Sequence, residues 1–89
     1  MAPNSFTFKL TVPNDPEGAT VLAVVVTHAV EYATIEAAAG TAFVERVRAT
    51  ALQTLKAAAG HASLAVIAAR DGRLTVTIGG ESVSEPLPS

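Results

Sequence analysis

The two histidines are the residues best suited to chemistry near neutral pH, because the imidazole titrates in that range. His28 lies in an apolar segment, where it could accept a phosphoryl group or act as a general base. We favour instead a structural His28, hydrogen-bonded to a backbone or hydroxyl group, with Glu31 three residues further on as a partner. His61 lies 33 positions from His28, and this separation follows no metal-ligand spacing, so the sequence predicts no metal site.

The sequence contains no motif typical of a catalytic nucleophile or of a phosphate-binding loop. The chain has no cysteine, which excludes a thiol nucleophile, a thiolate zinc site and a disulfide framework. Ser63, Ser82 and Ser84 lie outside any nucleophile-elbow motif. Gly79-Gly80 could bind an anion through backbone N–H groups, but neither a lysine nor a helix pattern follows it. We therefore expect a protein that is not an enzyme and uses no cofactor.

Composition narrows the class of protein further. The chain has 89 residues, which is the length of one small domain. Hydrophobic residues make up 49% and charged residues 16%, against a usual ~25% charged, and this balance excludes intrinsic disorder. A net charge of −2 argues against binding nucleic acid by phosphate neutralisation. The longest apolar stretch, 19–30, is too short to span a bilayer, and no signal peptide is evident, so we expect a cytoplasmic protein that binds no membrane.

The N-terminal half predicts one strand and two helices. Residues 5–12 alternate apolar and polar side chains, which is typical of a strand with one buried face. Asn14 or Asp15 then caps a helix with Pro16 at its first position, predicted over 17–33. A second helix is predicted over 41–59, preceded by a loop or an early helical turn at 34–40.

The C-terminal half predicts a β-hairpin and a tail. Residues 63–70 are apolar on both faces, which indicates a central strand that is covered on both sides or lies at an oligomer contact. Asp71-Gly72 is a strong type I′ turn signal, and 73–78 returns with alternating side chains. Residues 81–89 contain two prolines and little to bury, so we expect a flexible tail. The predicted fold is α+β, a β-α-α-β-β two-layer sandwich of three strands and two helices in a single domain, 1–80.

This order of elements and its hydrophobic spacing are similar to a known family. The run F-x-F-x-L-x-V-P-x-D-P, two helices and then L-x-V-x-x-x-x-D-G-R-L-x-V-x-I resembles the anti-sigma regulatory factors, small members of the histidine-kinase-like (GHKL) ATPase superfamily. The matching residues are Phe8, Leu10, Val12, Pro13, Asp15 and Pro16, then Leu64, Val66, Asp71, Gly72, Arg73, Leu74, Val76 and Ile78.

The nucleotide-binding residues of that family have no counterpart here. The family places a Glu and a Mg²⁺-binding Asn four residues apart on the second helix, where this chain has Ala49 and Gln53. The adenine-binding D-x-G would fall at 78–80, where Gly79-Gly80 stands without an aspartate. The resemblance therefore implies the scaffold without its ATP site, and we predict no measurable affinity for ATP.

The leading functional hypothesis is a non-catalytic protein–protein interaction module in bacterial signalling or transcription regulation. The chain has more apolar surface than two helices and three strands can bury, so we also predict a homodimer. The candidate interface residues are Leu64, Val66, Ile67, Val25, Arg46 and Arg48, with the two arginines able to bind an acidic regulatory partner. The alternatives are a cryptic nucleotide or small-ligand binding protein, and a phosphotransfer protein acting through His28.

Overall fold

A computed structural model describes residues 5–87 as a four-stranded antiparallel sheet with two helices on one face. The elements are β1 (Phe6–Pro13), α1 (Pro16–Tyr32), α2 (Ala37–Ala57), β2 (Ala62–Arg70), β3 (Arg73–Ile78) and β4 (Glu81–Pro86). The α+β class, the order of the first five elements and the placement of both helices on one face are confirmed.

The start of α1 follows the predicted capping signal. The Asp15 carboxylate accepts a hydrogen bond from the backbone N–H of Gly18 at 3.1 Å, and Pro16 occupies the first turn. The start of α2 lies earlier than the predicted 41, because Ala37–Gly40 is already helical. Alanine has the highest helix propensity, so this run extends α2 towards its N-terminus. The turn between α1 and α2 contains Thr34, whose φ is 59°.

The four strands form a meander in the order β1-β2-β3-β4. Asp71 and Gly72 have φ values of 52° and 73°, as the predicted type I′ turn requires. Gly79 and Gly80, at 57° and 87°, form a second two-residue turn, after which Glu81 pairs with Ile78.

The predicted three-stranded sheet is therefore wrong, and Glu81–Pro86 forms β4 rather than the expected flexible tail. Val83 pairs with Val76 on the helix side, while Ser82 and Ser84 pair with Thr77 and Thr75 on the other face. Pro86 stands at the end of this edge strand, where its missing N–H is tolerated. The last two residues of the expected tail, 88–89, lie outside the described residues.

A single core fills the space between the sheet and the helices. Its largest fully buried side chains come from every element except β4: Phe43, Leu22, Leu55, Ile67, Leu74, Ile78, Val12, Val26, Val47 and Val76. None of the buried residues in the described part is polar or charged. Apolar packing therefore holds the sheet and the helices together. Burial of each large side chain favours folding by about 1.5–3 kcal/mol.

Asn14, just before α1, is hydrogen-bonded to the loop that follows α2 and to β2. Its side-chain amide donates to the carbonyl oxygens of Ala59 and Gly60, both at 3.1 Å, and its carbonyl oxygen accepts from the Ser63 hydroxyl at 2.6 Å. Its backbone N–H donates to the His61 carbonyl at 3.0 Å. The turn into α1 and the loop into β2 are thus fixed to one another, and this sets how α1 lies along β1.

Candidate interaction surface

Exposed apolar side chains of α1 lie near the β1 edge of the sheet, where Phe8, Leu10, Val25 and Tyr32 line one groove. Val21, Val24, Val25 and Tyr32 recur at helical spacing along one side of α1, with Val24 54% and Tyr32 53% exposed. Phe8 of β1 is 46% exposed and Leu10 is half-buried. We refer to Phe8, Leu10, Val21, Val24, Val25 and Tyr32 as the β1-edge surface.

Aromatic contacts hold this surface in shape. The Phe6 ring lies 5.2 Å from the Phe8 ring and 5.3 Å from the Tyr32 ring, the latter pair edge to face. A groove of about 470 Å³ runs between β1 and α1, lined mainly by Phe8, Leu10, Val25, His28, Ala29 and Tyr32. The Phe6 contacts fix the C-terminal end of α1 against the N-terminal end of β1, so strand and helix present a single surface.

The two edges of the sheet differ in chemistry. β1 carries one charged residue, Lys9, over eight residues. β4 carries Glu81 and Glu85 and ends in Pro86, and Arg46 of α2 donates to the Glu85 carboxylate at 2.6 Å. Charges, a proline and a covering side chain are the devices by which proteins protect a sheet edge from pairing. β4 has all three, whereas β1 has a single lysine and, like β4, a proline at its end, Pro13.

The sheet face opposite the helices is mostly polar. Leu64, Val66 and Ala68 of β2 form its apolar strip, with Leu64 55% exposed and the other two half-buried. Threonines and serines flank the strip, and hydroxyl pairs join β3 to β4 at 3.2 Å and 3.1 Å. β2 is thus central, as expected, but it is covered by helices on one face alone.

The six predicted interface residues occupy different parts of the molecule. Ile67 is fully buried beneath the helices, so within one folded chain it has no surface to offer a partner. Val25 lies in the β1-edge surface, whereas Leu64 and Val66 lie on the open face of the sheet. Arg46 is bound to Glu85 and lies 5.6 Å from the centre of the Phe43 ring, and Arg48 is 3.9 Å from Glu45. The structure does not bring the six together.

The histidines also lie apart. His28 is exposed on α1 and lines the groove beside β1, and His61 is exposed in the loop before β2. The groove lining beside His28 is mostly apolar and also includes Lys9. Within residues 5–87, no cluster of three His, Cys, Asp or Glu side chains could hold a metal ion.

Some of the positions that the resemblance aligns with a nucleotide site lie together, and Ala49 is not among them. Gln53 and Gly79 line the same open cavity, about 540 Å³ in volume, with Thr50, Thr54, Ala57 and Glu81. A methyl group built on Gly79 would overlap Cγ2 of Thr54, so α2 and the β3–β4 turn are closely packed here. Glu81 is the charged residue of this lining, and an anionic phosphate would meet its carboxylate there.

Sequence reasoning found Val25 of the β1-edge surface but not Phe8, Leu10, Val21, Val24 or Tyr32 as interface candidates. Val21 and Val24 were visible as apolar positions around the circumference of α1, and the alternation in β1 assigned Phe8 to the buried face. The sequence pattern does not show that β1 lies at an edge of the sheet, where Phe8 is less covered than a central residue.

No family model, curated protein or solved structure matches the chain. Neither helix in the described part combines the length and apolar character that a bilayer-spanning segment needs.

Proposed function

We propose that this protein is a non-catalytic protein–protein interaction module of bacterial signalling or transcription regulation, built on a scaffold like that of the histidine-kinase-like ATPases. The observation that carries the proposal is the β1-edge surface. It joins exposed aromatic and aliphatic side chains to a strand edge that is less charged than β4, and such combinations on small domains mark protein-binding sites.

Binding at this surface has a clear physical basis. A partner strand would satisfy the free N–H and C=O groups of β1, while its side chains would cover Phe8, Val24 and Tyr32. Tyrosine and phenylalanine supply large contact areas with few rotatable bonds, so they are favoured at the centres of interfaces. The regulatory setting comes from the family resemblance alone.

Photo-crosslinking inside cells tests the proposal directly. Benzoylphenylalanine replaces Val24 in one variant and Ala49, an exposed residue of α2, in the control. We expect discrete crosslinked protein bands from position 24 and none of these bands from position 49. Identical patterns from both positions, or no band from position 24, would contradict an interaction role for this surface.

A second candidate is binding of a nucleotide or small ligand in the cavity that joins Gln53 to Gly79. Calorimetry with Mg-ATP separates the two functions. We expect no heat of binding at micromolar protein, and a saturable, Mg²⁺-dependent signal would favour the ligand-binding function. Phosphotransfer through His28 has its own test, since incubation with acetyl phosphate would then leave an acid-labile label that His28→Gln removes.

A further inference from the structure

We infer that the partner of the β1-edge surface is a second copy of this chain, and that β1 pairs antiparallel with its own copy about a two-fold axis passing through Phe8. This deepens the proposed function by naming the partner, and it rests on the same surface. Two four-stranded sheets would then join into one continuous sheet of eight strands.

The residues of β1 limit the register, and we place the axis at Phe8 because it is the exposed large apolar residue of this strand. Helix-side residues must face helix-side residues, so the possible axes pass through a residue of β1 rather than between two residues. An axis through Lys9 would set two ammonium groups opposite each other, which is unfavourable. An axis through Phe8 pairs the Phe8 rings with each other, Phe6 with Leu10, and Lys9 with Thr7.

The same axis brings the helices together. A two-fold axis perpendicular to the sheet keeps all four helices on one face and places the two α1 helices side by side and antiparallel. α1 runs back along β1, and Phe8 and His28 line the same groove, so the axis passes near the level of His28. Val24 and Tyr32 are each four residues from His28. Val24 of one copy would therefore lie level with Tyr32 of the other copy.

The exposed apolar side chains supply part of the area that a small dimer buries. Phe8, Val21, Val24 and Tyr32 expose 40–54% of their surface, on the order of 350 Å² in all for side chains of their size. A stable interface buries about 800 Å² per partner. The edge backbone of Phe6–Leu10, the part of β1 that this register pairs with its copy, adds to this area, as do half-buried Leu10 and Val25. Dimerisation would also enlarge the small core available to a chain of this length.

Alternative surfaces fit a second copy less well. The β4 edge carries two glutamates and a proline, and pairing it with itself would bring these acids together. Among the described residues of the open sheet face, Leu64 is the one large hydrophobic residue that is exposed. A peptide from another protein could also add to the β1 edge, and in that case the purified protein would be monomeric.

Sedimentation equilibrium of the purified full chain at about 100 µM tests the inference. We expect twice the chain mass of 9.0 kDa, and a mass of 9.0 kDa would overturn it. Phe8→Glu places two carboxylates on the axis and should weaken dimerisation at least tenfold. Leu64→Glu, at a similarly exposed residue of the open face, should leave the dimer intact. Dissociation by Leu64→Glu but not by Phe8→Glu would assign the interface to the open face and refute the β1 pairing.

Cysteine trapping tests the register and does not depend on the glutamate variants folding. The chain has no native cysteine, so each introduced thiol is unique. We expect mild oxidation to link Phe8→Cys chains to each other, and Thr7→Cys to Lys9→Cys when the two are mixed. Lys9→Cys alone should not form dimers, because thiols two residues out of register are too far apart to bridge. Rapid Lys9→Cys dimers would overturn the register.

The outcomes also separate this inference from the proposed function. A monomer in sedimentation, together with crosslinks from position 24 to a different protein in cells, would refute self-pairing and support the interaction module. A monomer without any crosslink would refute both.

Discussion

Substitution of Gly40 by alanine should destabilise this protein, although the same change ordinarily stabilises a helix. Gly40 lies in α2 where the helix crosses α1, and it is buried. A methyl group at this position would overlap Cγ1 of Val30, which is 7% exposed. A β-branched side chain in a helix is confined to essentially one rotamer, so Val30 cannot turn away.

Two opposing terms set the magnitude. Replacing glycine by alanine inside a helix favours folding by roughly 0.5–1 kcal/mol, because the unfolded chain loses conformational freedom. Forcing a methyl group into a packed contact costs about 1–3 kcal/mol. We therefore expect the free energy of unfolding to fall by up to about 2.5 kcal/mol, with a central value of about 1 kcal/mol. Each kcal/mol lowers Tm by ~4–8 °C in a domain of this size.

The sign should reverse when Val30 is shortened. Val30→Ala alone removes two buried methyl groups and should cost about 2 kcal/mol. In that background the alanine at position 40 meets no Cγ1, so only the gain of roughly 0.5–1 kcal/mol remains. The coupling between the two substitutions should accordingly be about 2 kcal/mol, a magnitude usual for residues in direct contact.

Urea unfolding of the four proteins, followed by circular dichroism at one fixed protein concentration, measures this cycle. Ala42→Gly, at an exposed position two residues along α2, is the control for helix propensity and should cost about 0.5–1 kcal/mol. Stabilisation by Gly40→Ala in the unaltered chain would refute the packing argument. Equal destabilisation in both backgrounds would also refute it.

Three further outcomes are expected from the same unfolding assay. Phe43→Ala removes the largest fully buried side chain and should cost about 3–5 kcal/mol, so retention of the native Tm would contradict the core described above. Gly72→Ala should cost roughly 1 kcal/mol because its φ is 73°, whereas Asp71→Asn, at a φ of 52°, should be nearly neutral; equal losses would contradict the turn assignment. Arg46→Ala should cost less than about 1 kcal/mol, since Arg46 is 53% exposed in its pair with Glu85, and a larger loss would show that the contact does more than join two surface charges.

Local signals in the sequence determined most of the secondary structure. The period of two in β1 and β3, the Asp15-Pro16 start of α1 and the Asp71-Gly72 turn each depend on neighbouring residues, so they are legible without the fold. The inward faces of Leu74 and Val76 follow for the same reason. The α+β class was predictable because these local elements leave few ways to bury their apolar faces.

The fourth strand and the exposure of each apolar residue depended on the tertiary structure. β4 forms because Val83 pairs with Val76 of β3 and Glu85 forms an ion pair with Arg46 of α2. Both partners lie outside the sequence of β4. Ile67 is buried and Phe8 is half exposed although the two residues pair with each other in the sheet. The difference is that β2 has a neighbour on each side and β1 has only one, since strand order is set by long-range pairing that no local period encodes.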